Sequence, residues 1–291
     1  MTADRLCRMG DHRVGVLHPG SMGAAVAAQA VAAGNKVYWL PGGRSAATRE
    51  RAEADKLLPA ADLAALADTC DLIISVCPPA AAREVAENVA ATAFAGVYLE
   101  ANAISPRHTE EIAALLAPGG VSVVDGGIVG PPSRRPGSTT LFVSGSDDAV
   151  TCAQEAFADS ALTVKALGSI IGSASALKLA FASYNKISSV LAAQACALAA
   201  SHGVLDDLLE LGAEALPDTP LGRAGADGFA GAGARAWRWA PEMREIAEAC
   251  ASSGVSPDLA LAAAALFERW NDHKDNADVP LEQLLADLIQ P

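Results

Sequence analysis

The sequence predicts an α/β fold in which a doubly wound parallel sheet precedes an all-α domain built on a long central helix. Two observations carry this prediction. Short apolar runs alternate with helix-like segments from residue 14 to about residue 164, the pattern of a parallel sheet with helices on both faces. After Gly168 only helical patterns remain. We therefore expect one domain over residues 1–168 and a second over residues 169–291.

Each element follows from a local pattern. Apolar runs bounded by turn residues predict strands, and alanine-rich or charged segments predict helices. The predicted strands are 14–17, 36–40, 71–79, 97–100, 121–125, 140–144 and 162–164. The predicted helices of the first domain are 22–33, a polar helix after the turn at 41–43, 62–67, 80–93, 107–117 and 147–157. Those of the second are 173–201, 204–211, 235–250, 257–270 and 281–289, with a glycine-rich loop at 222–233.

The helix over residues 173–201 is unusual because it contains neither proline nor glycine and is apolar on nearly all sides. As one helix it would span ~44 Å. A helix that is apolar all round is normally buried. We therefore expect it to lie between domains or between subunits.

Composition excludes several function classes. The chain has 21 Lys and Arg against 34 Asp and Glu, a net charge of −13, which disfavours general binding to nucleic acid or to anionic membranes. Six cysteines without a CxxC pair and five histidines without an HExxH motif argue against a zinc site. The charged N-terminal residues and the lack of an ~18-residue apolar run predict a cytoplasmic protein without a membrane span.

The stretch HPGSMG, residues 18–23, lies between the first predicted strand and helix. A dinucleotide-binding turn there normally reads GxGxxG, because the chain must bend sharply and approach the pyrophosphate closely. Here His18 replaces the first glycine and Pro19 removes one N–H donor. We predict a phosphate-binding loop, although an ordinary strand-to-helix turn is an equal alternative on this stretch alone. The predicted cofactor contacts are His18, Pro19, Gly20, Ser21 and Met22.

The residue types that follow the second strand indicate whether the cofactor is NAD(H) or NADP(H). An acidic residue there would accept from a ribose 2′-hydroxyl, but this segment has none. It offers instead a set of donors at a helix start, which favours a 2′-phosphate and hence NADP(H). The alternative is a solvated basic helix start. The donors are Arg44, Ser45, Thr48 and Arg49, and Gly42 in the preceding turn is a further predicted cofactor contact. At the ends of later strands, the predicted cofactor contacts are Cys77, Pro78, Pro79 and Asn102.

Lys178 stands one and a half turns into the long helix, among leucines and alanines. Apolar surroundings in general lower the pKa of a lysine, and such a lysine suits proton transfer near neutral pH. The alternative is a lysine that extends along the surface to water. Asn185 follows seven residues later, ~10.5 Å along the axis, where it could contact a substrate or cofactor edge.

Together these motifs resemble those of the β-hydroxyacid dehydrogenase superfamily, which includes 3-hydroxyisobutyrate and 6-phosphogluconate dehydrogenases. The resemblance rests on HPGSMG, SVCPP, EANAISP, VVDGGIVGPPSRRPGSTTLFVSG and GSIIGSASALKLA, and on RAWRWAPEMREIA at residues 235–247, which is typical of one divergent branch. It implies an N-terminal Rossmann domain, a helical substrate and dimerisation domain, an active site between them, and a homodimer.

The resemblance also implies residue roles. Lys178 matches the family lysine in GxxGxGxxxK, the general acid in reduction and the base in oxidation. Asn102 matches a residue that helps hold the nicotinamide or substrate. Where the family has a serine and two glycines for a substrate carboxylate, this chain has Val129, Gly130 and Pro131, and the asparagine four residues beyond the lysine is Ala182.

These departures leave more than one chemical class of substrate compatible with the sequence. Ser133, Arg134 and Arg135 are candidates for recognising an acid, while a neutral ketone, aldehyde or imine fits the lost donors equally well. Trp237, Arg238 and Trp239 could line the substrate site, although aromatic residues of a helical domain are usually core. The predicted substrate contacts are Gly127, Gly130, Pro131, Ser133, Phe181, Asn185, Trp237 and Arg238.

The predicted function is an NADPH-dependent oxidoreductase that interconverts a carbonyl compound and an alcohol, with Lys178 and Asn102 as its catalytic residues. One alternative is an imine reductase-type enzyme, against which the retained Lys178 counts. The other is a nucleotide-binding protein with little turnover, which the altered carboxylate site favours.

Overall fold

The computed structural model describes residues 12–132 and 135–289. The chain divides into two compact units, Met1–Lys178 and Leu179–Pro291. This division lies inside the long helix, ten residues beyond the point at which the sequence pattern changes. Most predicted helices and strands are present, with ends that lie within a few residues of the predicted ones.

The first unit is built on one sheet in the order β3-β2-β1-β4-β5-β6-β7-β8. Its order reverses at β1, so helices cover both faces, and the predicted doubly wound fold is confirmed. The strands are β1 (Arg13–Val16), β2 (Lys36–Trp39), β3 (Leu58–Pro59), β4 (Leu72–Ser75), β5 (Val97–Glu100), β6 (Ser122–Val129), β7 (Thr140–Gly145) and β8 (Thr163–Ala166).

Three details of the sheet differ from the prediction. The sheet is not wholly parallel, because β6 and β7 pair antiparallel. Only residues 130–139 join them, and a connection so short cannot make the crossover that parallel strands need. The predicted strand 71–79 ends at Ser75, where the prolines of the next turn begin. β3 was not predicted, since two residues including a proline carry no strand pattern.

Apolar residues of the strands alternate between two cores, one on each face of the sheet. Val14, Val16 and Ile74 pack in one core. Ile73 and Tyr98 pack in the other. The helices that cover the sheet are α1 (Ser21–Ala32), α2 (Ala46–Ala54), α3 (Leu63–Thr69), α4 (Ala82–Ala90), α5 (Pro106–Leu116) and α6 (Asp147–Glu155).

The second unit is helical, as predicted. α7 spans Ser173–Ser201, as the absence of helix breakers predicts, and its later part contributes to a core around Met243, Phe267 and Trp270. The Trp270 Nε1–H donates to the Leu284 carbonyl at 2.9 Å. The other helices are α8 (Leu205–Ala215), α9 (Ala224–Asp227), α10 (Ala230–Gly233), α11 (Ala236–Ser252), α12 (Asp258–Glu268) and α13 (Leu281–Ile289).

One prediction for this unit was wrong. The segment 222–233 was predicted as a loop, but the alanines between its glycines form the short helices α9 and α10. No helix in the described part of the chain combines the length and apolar character needed to cross a lipid bilayer.

α7 is not covered on all sides by its own chain. Leu179, Ile187 and Val190 are buried on one side. An apolar stripe along the other side remains exposed, and it consists of Phe181 (54%), Tyr184 (80%), Leu191 (59%) and Leu198 (63%). These positions follow a spacing of three, seven and seven residues, so they lie along one face of the helix.

Candidate active site

The predicted cofactor residues meet at one edge of the sheet. β2, β1, β4, β5 and β6 are neighbours and run parallel, so their carboxyl ends lie side by side. The loops that leave these ends carry His18, Arg44, Cys77, Asn102 and Gly130. In open α/β sheets this edge is where ligands bind, because strand order reverses there.

The loop after β1 has the geometry of a dinucleotide turn despite its altered first position. The Gly20 N–H donates to the His18 carbonyl at 2.8 Å, which closes a tight turn. A Cβ on Gly23 would lie 2.1 Å from the same carbonyl, so only glycine lets α1 pack this closely. A Cβ on Gly20 would meet open space. α1 begins at Ser21 without a side-chain cap, and its first N–H groups are suited to an anion.

Arg44 and His18 lie beside this loop. The Arg44 Nη2 donates to the Leu17 carbonyl at 3.1 Å. The Arg44 Nε and the His18 Nδ1 are both buried without a hydrogen-bond partner. Burial lowers the pKa of His18 to about 4, and the charge of Arg44 adds to this effect. Burial also lowers the pKa of Arg44.

The other predicted donors lie at the start of α2. Ser45 caps this helix by accepting from the Thr48 N–H, and Gly42 is exposed in the turn before it. Sequence reasoning missed Arg51, which donates from Nη2 to the Thr48 Oγ1 at 3.1 Å and from Nε to the Pro19 carbonyl at 3.5 Å. A basic residue two positions beyond Arg49 was a visible signal that the sequence-based assignment did not use.

A row of buried polar residues crosses the sheet just below this edge. Ser75 pairs with Glu100, Glu100 with Asp125, and Asp125 with Ser144 in the strand register. All four are at most 1% exposed. The predicted site did not include them, although polar residues ending apolar strands were the available signal.

Asn102 is held by this row. Its side-chain Nδ2 donates to the Ser75 Oγ at 3.1 Å, its Oδ1 accepts from the Cys77 N–H, and its backbone N–H donates to the Glu100 Oε1 at 3.0 Å. Only 3% of Asn102 is exposed. The amide therefore ties the loops after β4 and β5 together.

Two neighbouring groups are kept neutral by burial. Burial raises the pKa of Glu100 to about 8, with Asp125 adding to the shift and the bond from Asn102 opposing it. Burial likewise raises the pKa of the Cys77 thiol to about 12, so the thiol stays protonated near neutral pH and is a poor nucleophile. Pro78 and Pro79 start the short 3₁₀ turn that leads into α4.

Asp125 fixes the start of α7. Its carboxylate accepts from the backbone N–H groups of Ala174 and Ser175 at 2.8 and 3.1 Å. It also accepts from the hydroxyls of Ser175 at 2.6 Å and Ser144 at 3.0 Å. The first turn of the helix is thus capped by the strand, and Lys178 follows one turn later.

Gly127 lets α7 contact β6 directly. A Cβ at this position would lie 2.5 Å from the Ala174 carbonyl and 2.9 Å from the Lys178 Cβ. The stem of the half-buried Lys178 therefore stands over Gly127, at the carboxyl end of β6. Gly127, predicted as a substrate contact, lies buried under the helix.

In the described residues of the segment after β6, polar groups bond to one another. Gly130 has φ +122°, and a Cβ there would lie 2.4 Å from the Ser138 carbonyl. The Thr139 hydroxyl donates to the Pro131 carbonyl at 2.6 Å. Ser133 and Arg134 lie outside the described residues.

The remaining predicted substrate residues belong to the second unit. Phe181 and Asn185 are exposed on α7, and Arg238 is exposed on α11. Trp237 is half-buried, with the Lys274 Nζ 4.2 Å from its ring centroid. Their contact with substrate stays a prediction.

The neighbouring Trp239 is packed among core residues. Its ring meets Phe267 edge-on with centroids 5.4 Å apart, and the Lys186 Nζ lies 5.2 Å from its centroid. Lys186 is also ion-paired with Glu242.

Residues 13–168 match the family described as the NAD binding domain of 6-phosphogluconate dehydrogenase. The chain belongs to the β-hydroxyacid dehydrogenase superfamily. It is thereby an NAD(P)-dependent oxidoreductase. Residues 199–270 match a domain of unknown function, DUF1932, which marks the divergent C-terminal part. No relative was found among the curated proteins.

Solved structures share the fold over nearly the whole chain. A 3-hydroxyisobutyrate dehydrogenase from Salmonella typhimurium is 20% identical, with 95% of this chain and 99% of that chain covered and a TM-score of 0.73. That of Mycobacterium tuberculosis is 19% identical, with the same coverage and a TM-score of 0.70. A reductive aminase from Aspergillus terreus, in complex with NADPH and ethyl levulinate, is 22% identical, with the same coverage and a TM-score of 0.56.

The loop after β1 fits the dinucleotide of this family. Gly20 leaves open space, and the buried Arg44 Nε and His18 Nδ1 lack the partners that a phosphate would supply. A buried N–H donor without an acceptor destabilises the fold, and a charged donor does so more strongly. A bound phosphate would supply the missing acceptor.

The contact between Gly127 and α7 can be tested by Gly127→Ala. Because the added methyl would overlap the Ala174 carbonyl, strand and helix must separate. We expect a loss of about 1–3 kcal/mol in the free energy of unfolding, measured by urea denaturation. Gly119→Ala is the control, since its Cβ would lie 3.8 Å from its nearest neighbours. Equal stability of the two variants would contradict the close contact.

Proposed function

We propose that the protein uses NADPH to interconvert a carbonyl compound and an alcohol, with Lys178 as the general acid and base. The observation that carries this proposal is the placement of Lys178, which Asp125 and Gly127 fix against the carboxyl end of β6. That end belongs to the edge at which this family binds its dinucleotide.

The bound cofactor supplies or accepts a hydride at the substrate carbon. In reduction, negative charge builds on the substrate oxygen, and the Lys178 ammonium stabilises it and donates a proton from Nζ. In oxidation, the neutral amine of Lys178 accepts the hydroxyl proton. Asn102 supports this chemistry by holding the loop of Cys77 against the end of β5.

The proposed substrate is a neutral ketone or aldehyde. Val129 has no hydroxyl and Pro131 has no N–H, so two donors that would hold a carboxylate are lacking. The Thr139 hydroxyl does not replace them, because it donates to the Pro131 carbonyl. The same losses favour an imine as the second candidate substrate. The predicted contacts with Phe181, Asn185, Trp237 and Arg238, and a cytoplasmic location, remain part of the proposal.

Replacing Lys178 with alanine should abolish turnover, because the proton donor is removed, while NADPH affinity stays within a few-fold. NADPH oxidation is measured on a panel of ketones, aldehydes and imines, and binding by fluorescence titration. Lys165→Ala, at an exposed position on β8, is the control and should behave as wild type.

Unchanged turnover in Lys178→Ala would remove the proposed role of this residue. Reduction of imines alone by the wild type would favour the second candidate. NADPH binding without turnover on any compound of the panel would contradict both.

The preference for NADPH is supported by the basic residues beside the phosphate loop. Arg44, Ser45 and Thr48 lie at the start of α2, and Arg51 bridges Thr48 to the loop through the Pro19 carbonyl. No acidic residue follows β2 directly, so nothing there repels a 2′-phosphate.

Replacing Arg44 with alanine should weaken NADPH binding by ~2 kcal/mol, because a charge-assisted bond to phosphate is lost, and should weaken NADH binding far less. Isothermal titration calorimetry measures both affinities. Arg83→Ala, which removes an exposed arginine from α4, is the control. Equal losses for the two dinucleotides would reject the NADP assignment.

We also propose that two copies of the chain associate along the exposed stripe of α7. Phe181, Tyr184, Leu191 and Leu198 extend over ~26 Å of the helix, and contiguous apolar surface of this kind favours association. A homodimer is what the family resemblance predicts.

Replacing both Leu191 and Leu198 with glutamate should halve the molar mass measured by light scattering after gel filtration, since charges would be buried in the interface. Leu259→Glu is the matched control, because Leu259 is 64% exposed but lies on α12. A dimer that survives the double substitution would place the interface elsewhere.

A further inference from the structure

His18 stands where the dinucleotide turn normally has its first glycine. The turn is nevertheless closed, because the His18 carbonyl accepts from the Gly20 N–H and lies against Gly23. The backbone thus does what the glycine would do, and φ at His18 is not in the left-handed region. The imidazole is an addition that the fold does not require.

The imidazole is partly buried, and among the described residues no negative charge contributes to its pKa. Arg44, from the loop after β2, is the charged group that acts on it, and burial has the larger effect. Arg51 of α2 reaches the adjacent Pro19 carbonyl, and the nearby Cys77 thiol is kept neutral by burial. A protonated imidazole is disfavoured here as long as no anion is bound.

The same place offers donors to an anion. The His18 Nδ1 is buried and lacks a partner, and α1 begins three residues after His18. Pro19 has no N–H, so the loop has one backbone donor fewer than an ordinary turn. A donor from a side chain would compensate for this loss.

We propose that His18 is a proton-coupled phosphate ligand, whose imidazole takes up one proton from solvent when the dinucleotide pyrophosphate binds and then donates a hydrogen bond to it. This rests on the proposed dinucleotide binding. The solvent proton adds to the neutral ring, and no covalent bond to the cofactor forms. The negative phosphate replaces the solvation that the buried imidazolium lacks.

The sign of the pH dependence follows from this scheme. Without cofactor, burial and Arg44 hold the pKa of His18 at about 4, so the ring is neutral at pH 6. A bound phosphate raises that pKa, and protons are taken up at any pH between the two values. Cofactor affinity therefore rises as pH falls, by at most ~10-fold per pH unit for one proton.

The test is calorimetric titration of the full-length protein with NADPH and with NADH at pH 6, each in two buffers of different ionisation enthalpy. The difference in heat gives the number of protons taken up. We expect wild type to take up more protons than His18→Gln with either dinucleotide, because glutamine keeps a polar side chain but does not titrate. With NADH, uptake by His18→Gln should be absent. NADH serves as the control for titration of the 2′-phosphate of NADPH itself.

A second measurement does not require the His18→Gln variant to bind the cofactor. The Cε1–H resonance of His18, assigned by its absence from the His18→Gln spectrum, should titrate at higher pH with NADPH than without it. Binding of both dinucleotides with no uptake, or with equal uptake by wild type and His18→Gln, would overturn this inference and leave dinucleotide binding intact. Failure to bind either dinucleotide would overturn both.

Discussion

The carboxylate of Asp125 is the group on which the candidate active site depends. It lies within the buried part of β6 and accepts hydrogen bonds from four donors, the backbone N–H groups of Ala174 and Ser175 in the first turn of α7 and the hydroxyls of Ser144 and Ser175. Buried helix ends leave costly unpaired N–H groups unless a partner satisfies them. Because that partner lies on the sheet, the first turn of α7 cannot shift along β6 without losing these bonds, and Lys178 is positioned with it.

Asp125 is also one member of a polar row through an apolar sheet. Such a row is destabilising unless its members satisfy one another, and here they connect neighbouring strands and the loops above them. Ser75 and Glu100 together hold Asn102, which in turn holds the Cys77 N–H. The raised pKa of Glu100, about 8, shows that the row keeps a neutral acid near pH 7. Negative charge is thereby limited close to a site that must accept phosphates.

The residues that depart from the family pattern are concentrated at the two places where an anion would be recognised. At the loop after β1, His18 replaces a glycine, and its Nδ1 and the Nε of the neighbouring Arg44 are buried without partners. At the segment after β6, Val129 and Pro131 remove donors, and the Thr139 hydroxyl is engaged by the Pro131 carbonyl. The lost donors after β6 are the physical basis for proposing a neutral substrate.

The sequence by itself determined the alternation of strands and helices, the long α7 and the place of Lys178 near the start of that helix, because these depend on local periodicity and on glycine and proline. It did not determine that β7 runs antiparallel to β6, that Gly127 is covered by α7, or that Glu100, Asp125 and Arg51 lie beside the predicted site residues. Each of these depends on which strand or helix lies beside another, over separations such as the 50 residues between Asp125 and Ser175. Only the tertiary structure decides such contacts, since burial and hydrogen-bond partners across the sheet leave no periodic trace in the chain.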